Sequence, residues 1–229
     1  VKQYKKGLFF SYDFVGENSW NGYERNCLFA NVGYVPPSGP AQPDARETRQ
    51  FMDVARPTGS DCLKDSRGVA MADFNGDGQL DLVINNNNQT PTLYLNKVKR
   101  SGNSVVIKLE GLVNGSGSLH TSLDAVGAQV RLSIPGKTMM RQVEAGSGFA
   151  AEGMLPVHFG VGDATRIDSV EITWPSGLVQ KFDNTQTKDW LNSDVDIKEG
   201  VPAAIKLRPY SRLPTAGPRK NASSEQRRR

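Results

Sequence analysis

The chain has 229 residues, enough for one large or two small domains, and no apolar run approaches the roughly 18 residues that a membrane-spanning helix needs. Its net charge of +4 is unevenly placed: from Val201 to Arg229 eight Lys and Arg face one acid, Glu225, so that segment carries +7 and the preceding 200 residues −3. The acidic body argues against a globally basic nucleic-acid binder, which would spread its charge over the fold.

The chain opens on Val1, as expected of a processed or trimmed chain. Glycine, proline, asparagine and short β-branched runs are common, and long amphipathic helical patterns are scarce. That texture predicts an all-β protein rich in turns. The first region runs to residue 99. In it Leu28-Phe29-Ala30-Asn31 is echoed by Leu93-Tyr94-Leu95-Asn96, and Phe51-Met52-Asp53-Val54 reads as a further strand. Several short strands within one long period fit a partial β-propeller, one blade plus an insertion over Tyr34 to Gln50.

Between the strand-like runs at Val69-Met71 and Leu80-Leu82-Ile84 lies Asp73-Phe74-Asn75-Gly76-Asp77-Gly78-Gln79-Leu80-Asp81. Asp73, Asn75 and Asp77 put oxygen-bearing side chains at alternate positions, and Gly76 and Gly78 let the chain curl. Gln79 offers its backbone carbonyl, and Asp81 closes the turn. Calcium takes six to eight oxygens at roughly 2.3–2.6 Å, which this set and a water would supply. Magnesium demands stricter octahedral geometry, and zinc prefers the His and Cys that the loop lacks. An EF-hand would need Glu at loop position twelve, which here is Ile84, and the alternating flanks are strands rather than helices. A metal-free acidic turn is the simpler alternative. It gives no reason for acids at this spacing, and three converging carboxylates without a cation repel.

The second region, 100–200, reads as a small β-sandwich or barrel. Val105, Ile107 and Leu109 alternate, as do Ala128, Val130, Leu132 and Ile134. Val157-His158-Phe159 and Val170-Glu171-Ile172-Thr173-Trp174 follow, with turns at Pro135-Gly136 and Pro175-Ser176-Gly177. The third region, 201–229, is expected as an irregular basic tail broken by Pro202, Pro209, Pro214 and Pro218.

Other candidates carry less chemistry. Cys27 and Cys62 are a disulfide candidate in an oxidising compartment, or two separate buried thiols; one pair does not decide. Gly136-Lys137-Thr138 resembles the end of a P-loop, but the required upstream glycine is Arg131. Gly146-Ser147-Gly148 lacks the third glycine of a dinucleotide fingerprint, which is Ala151. His120 falls in a Gly/Ser loop and His158 in a strand, neither with an acid at catalytic spacing. Trp174 could stack on a sugar if exposed, though a core Trp is the better account. Glycosylation sequons occur at Asn88, Asn114 and Asn221.

Together, Phe51 to Val54, Arg67 to Ile84 and Leu93 to Asn96 resemble an FG-GAP or VCBS propeller repeat. Val126 to Arg131, Glu144 to Phe149, Val157 to Thr165 and Ile172 to Gly177 resemble the ASPIC/UnbV domain that follows such repeats in the cartilage acidic protein family. The resemblance spans Trp20 to Gly200. It departs at Ser104, where the domain often carries an aromatic residue, at Ala151-Glu152 and in a longer loop from Asn114 to Asp124. It implies a calcium ligand set of Asp73, Asn75, Asp77, Gln79 and Asp81, with Gln79 binding through its carbonyl. It also implies secreted, periplasmic or lumenal placement, and adhesion or assembly instead of catalysis. A closed propeller needs at least four blades. The expected partners are therefore other protein subunits docked on the open blade edge and the basic tail, with no specific nucleic acid. The alternatives are a carbohydrate-binding or hydrolytic accessory domain, and tail-mediated binding to nucleic acid or an acidic membrane surface.

Overall fold

The computed structural model describes residues 24–34, 49–98, 102–112, 120–149 and 151–210. The chain divides into two compact units that interleave: the first takes Val1–Ala70, Leu82–Tyr94 and Gly148–Ala151, the second Met71–Asp81, Leu95–Ser147 and Glu152–Arg229. Residues 71–81, with the Asp73 turn, therefore group with the later part of the chain.

In the first unit β1 (Phe29–Tyr34) pairs antiparallel with β2 (Arg49–Asp53), with Ala30 opposite Met52 and a register shift between Asn31 and Gly33. The Asp53 carboxylate accepts the N–H groups of Leu28 and Ala55. It thereby ties the start of β1 to the single helical turn α1 (Ala55–Thr58). A three-stranded sheet follows, in the order β3 (Ser66–Ala72), β4 (Asp81–Asn86), β5 (Gln89–Tyr94). Leu82 lies opposite Tyr94, and the chain turns through Asn87 and Asn88. Asn88 has φ +51°, a conformation that Asn tolerates better than most residues.

The second unit holds β6 (Asn103–Glu110), β7 (Gln129–Ile134), β8 (Lys137–Gln142), β9 (Val157–Gly162), β10 (Ser169–Thr173), β11 (Val179–Asp183), β12 (Ser193–Lys198) and β13 (Lys206–Pro209). They form two four-stranded sheets, ordered β11-β10-β7-β8 and β13-β12-β6-β9. Pairing is antiparallel except between β6 and β12, which run parallel. Strict alternation puts Val130 and Leu132 of one sheet, and Ile107, Phe159 and Val195 of the other, into one buried apolar cluster. Of the two expected forms, sandwich and barrel, the unit is a sandwich. Trp174 and Trp190 are buried in the same cluster, with the Trp190 ring 5.2 Å from that of Phe182.

The reading of an irregular tail from Val201 is corrected in part. Lys206–Pro209 adds an edge strand to β12, with Arg208 opposite Asp194. Arg208 Nη2 lies 2.9 Å from Asp196 Oδ1, so β12 offers acids to a basic strand. Pro209 ends the strand at the sheet edge, where a missing N–H costs little. Residues 211–229, with the rest of the basic cluster and the Asn221 sequon, lie outside the described residues, as does the Asn114 sequon.

Candidate metal centre

Residues 73–80 connect β3 to β4, and the loop's acids organise its own backbone. Asp73 Oδ1 accepts the N–H groups of Gly76 at 2.7 Å and Asp77 at 3.2 Å, and its Oδ2 accepts Gly78 N–H at 2.7 Å. Asn75 Oδ1 also accepts the Asp77 N–H, at 3.2 Å, which brings its oxygen beside that of Asp73. Asp77 Oδ1 accepts the Gln79 N–H at 2.9 Å, and Asn75 Nδ2 donates to Asp77 Oδ2 at 3.0 Å. Gly76 and Gly78 take φ of +71° and +81°, which a Cβ would strain. Asp81 is buried and braces the loop's exit. Its Oδ2 accepts Phe74 N–H at 3.0 Å and its Oδ1 accepts Asn96 N–H at 2.7 Å.

The donor set fits a hard cation. An ionised carboxylate oxygen has about two acceptor sites. Asp73 Oδ2, Asp77 Oδ1 and both Asp81 oxygens each use one on the backbone bonds above. All the side chains concerned offer oxygen, which suits calcium and not a soft metal. Among the described residues no three His, Cys, Asp or Glu side chains gather into a metal cage. The carboxylates face the loop's amides, so binding would redirect acceptor sites within an already curled loop.

Residues 67–106 match the FG-GAP repeat, and residues 118–201 match the ASPIC and UnbV family. The chain carries an FG-GAP repeat followed by an ASPIC/UnbV domain. It is also 30% identical over 191 residues to Cartilage acidic protein 1 of Xenopus tropicalis, covering 77% of this chain and 27% of that protein. It thus spans about a quarter of the curated relative's length. The two domain types together suggest an extracellular protein-interaction module. Among the described residues no helix is long and apolar enough to cross a membrane.

Within the second unit the Asp73 loop meets residues that sequence reasoning did not connect to it. The Gly78 carbonyl accepts His158 Nε2–H at 2.9 Å and Ser104 Oγ–H at 3.1 Å. Because the partner is a carbonyl, Nε2 of His158 must carry the proton. A Cβ at Gly78 would run into the Tyr210 ring. On β12, burial pushes the Asp194 carboxyl up, Arg208 opposes this, and the charges of Asp73 and Asp196 add to the rise. The one available signal was Ser104, a small polar residue where the family often has an aromatic.

The remaining candidates lie apart from the loop. Cys27 and Cys62 are free thiols, Cys27 exposed and Cys62 half-buried. Asn26 N–H donates to the Cys62 carbonyl at 3.1 Å, so the two segments adjoin. The Cys27 thiol is pushed up by its hydrogen bond to Asp53, with burial and the Asp53 charge adding. Gly136-Lys137-Thr138 is a hairpin between β7 and β8, not a phosphate loop. Trp174 is buried and donates its Nε1–H to Gln180 Oε1 at 3.2 Å, so it cannot stack on a sugar. His120 is exposed.

Proposed function

We propose that this chain is a calcium-stabilised, non-catalytic, extracytoplasmic interaction module, a subunit or assembly factor of a larger protein complex. The observation that carries the reading is the Asp73 loop: a glycine-curled turn between strands whose Asp73, Asn75, Asp77 and Asp81 side chains all present oxygen. With the Gln79 carbonyl they supply the ligand set. The cation's contribution would be structural: it cancels converging negative charge and fixes the β3–β4 connection. Protein partners would meet the edges of the β3-β4-β5 sheet, where no further strand pairs among the described residues, and the basic residues beyond Val201. The buried Trp174 removes the motive for a carbohydrate-binding reading.

The test is a melt of the chain in calcium and in chelator. At a thousandfold excess over Kd, calcium should add roughly 4 kcal/mol of stability. Asp73→Asn and Asp77→Asn should each abolish most of that gain. An unchanged midpoint in calcium would overturn the reading.

A further inference from the structure

The Gly78 residue joins the acidic loop to the sandwich through three backbone atoms. Its N–H donates to Asp73 Oδ2 at 2.7 Å. Its carbonyl accepts from His158 on β9 at 2.9 Å and from Ser104 on β6 at 3.1 Å, which fills both lone pairs. The N–H of the same Gly78–Gln79 peptide, on Gln79, donates to Asp77 Oδ1 at 2.9 Å. A peptide unit is planar and stiff. A shift of the Asp77 carboxylate therefore tilts the carbonyl that the sheet holds.

Packing around Gly78 holds the loop against the sheet. Tyr210 closes over Gly78 so tightly that an added Cβ would meet its ring, and its own N–H is held by the Asn192 carbonyl at 3.0 Å. The loop is thus seated in one position.

We propose that the Gly78–Gln79 peptide couples the loop's cation to the β13-β12-β6-β9 sheet. His158 and Ser104 are the receiving groups. The inference rests on the calcium reading above and goes beyond it. The cation would tighten the β13-β12-β6-β9 sheet as well as its own turn. Coupling of this kind is reciprocal, so changing the receiving groups must change cation affinity.

The experiment uses the full chain with calcium itself as the probe. Affinity is read by calorimetric titration, and the sheet by hydrogen exchange of β6 and β9 amides in calcium and in chelator. In the unaltered chain calcium should slow exchange in both strands. Ser104→Ala combined with His158→Ala should weaken calcium binding by about fivefold or more and remove that slowing. His158→Gln, which keeps an N–H donor, should restore most of the affinity. Where the double variant folds poorly, Ser104→Ala and His158→Ala are each measured alone. Either should weaken calcium binding and reduce the slowing in β6 and β9, and unchanged affinity and slowing in both would overturn the coupling. Unaltered affinity and retained slowing in the double variant would overturn the coupling alone. A chain that binds no calcium would overturn the calcium reading and the coupling together.

Discussion

The two units bury opposite chemistries. In the second, alternating side chains from both sheets of the sandwich form one apolar cluster, with Val105, Ile107, Leu132 and Phe159 almost wholly out of water. In the first, the buried apolar side chains among the described residues are Ala55 and Ile84, beside the buried polar Ser60, Asp65 and Asn86. Its large apolar residues face outward: Phe29 and Phe51 are both 61% exposed and Met52 is 55% exposed. The sandwich has the two packed layers that hydrophobic stabilisation needs. Among the described residues the first unit buries few apolar side chains, and hydrogen bonds and charge join its strands.

The largest effect that can sharpen this contrast is a pair of phenylalanine truncations. Phe159→Ala opens a cavity in the sandwich core and should cost about 3–5 kcal/mol in urea unfolding. Phe51→Ala removes an outward ring of the same size and should stay within about 0.5 kcal/mol. Similar losses at the two sites would break the comparison.

Next in size is the polar interior of the first unit. Asp65 Oδ2 accepts from Asn87 Nδ2 at 3.2 Å. Arg67 Nη2 lies 2.7 Å from Asp65 Oδ1, but no aligned hydrogen bond reaches that oxygen, so this contact is ionic. Asp65→Ala should cost about 2–3 kcal/mol, because Arg67 and Asn87 lose their partner where water reaches poorly. A loss below about 0.5 kcal/mol, measured by thermal melts, would show that the polar network does not hold the unit.

A third case tests whether charge also matters inside the apolar unit. Glu199 is buried at the end of β12. Its Oε2 accepts Leu112 N–H at 2.8 Å, and its Oε1 accepts the hydroxyls of Thr121, at 2.9 Å, and Ser176. Burial pushes its carboxyl up, but the bonds from Ser176, Leu112 and Thr121 outweigh this and hold it below the ordinary value of 4.5. A depressed folded-state pKa contributes stability that is present above the unfolded value. It is lost as pH falls from there through the folded one. Glu199→Gln should therefore cost about 1–2 kcal/mol at neutral pH and flatten the loss of stability below about pH 4.5. An unchanged acid limb in pH-dependent melts would count against this role for Glu199.

What the sequence made legible follows the same division. Alternation of period two marked β7, β9 and β10, because each buries one face against a second layer, and it marked β6, where Ser104 and Val106 on the other face are buried too. It did not mark β8, where all but Met139 are exposed and the residues read Lys137-Thr138-Met139-Met140-Arg141-Gln142. It did not mark β13 either, whose strand rests on Arg208 meeting Asp196 across the ladder rather than on an apolar face. The Asp73 turn was legible because its glycines and acids act on neighbours within a few residues. Its contacts to Ser104 and His158 were not, since they join distant segments through a backbone carbonyl that leaves no mark on residue identity.

The smallest effect concerns charge at the surface of the sandwich, where it should matter least. Glu110 of β6 and Lys198 of β12 face each other across the parallel ladder, with Nζ 2.6 Å from Oε1. Both side chains are 38% exposed, so water screens the pair and competes for both groups. Holding two long side chains in one geometry also costs rotamer entropy. A double-mutant cycle with Glu110→Gln and Lys198→Met should give a coupling of about 0.2–1 kcal/mol that fades toward zero at 1 M salt. The geometry of this pair resembles that of Asp65 and Arg67, but its setting is far wetter. A coupling as large as the Asp65 loss would mean that distance alone sets the strength of these pairs. A small, salt-sensitive one would place the difference in how far water reaches each pair.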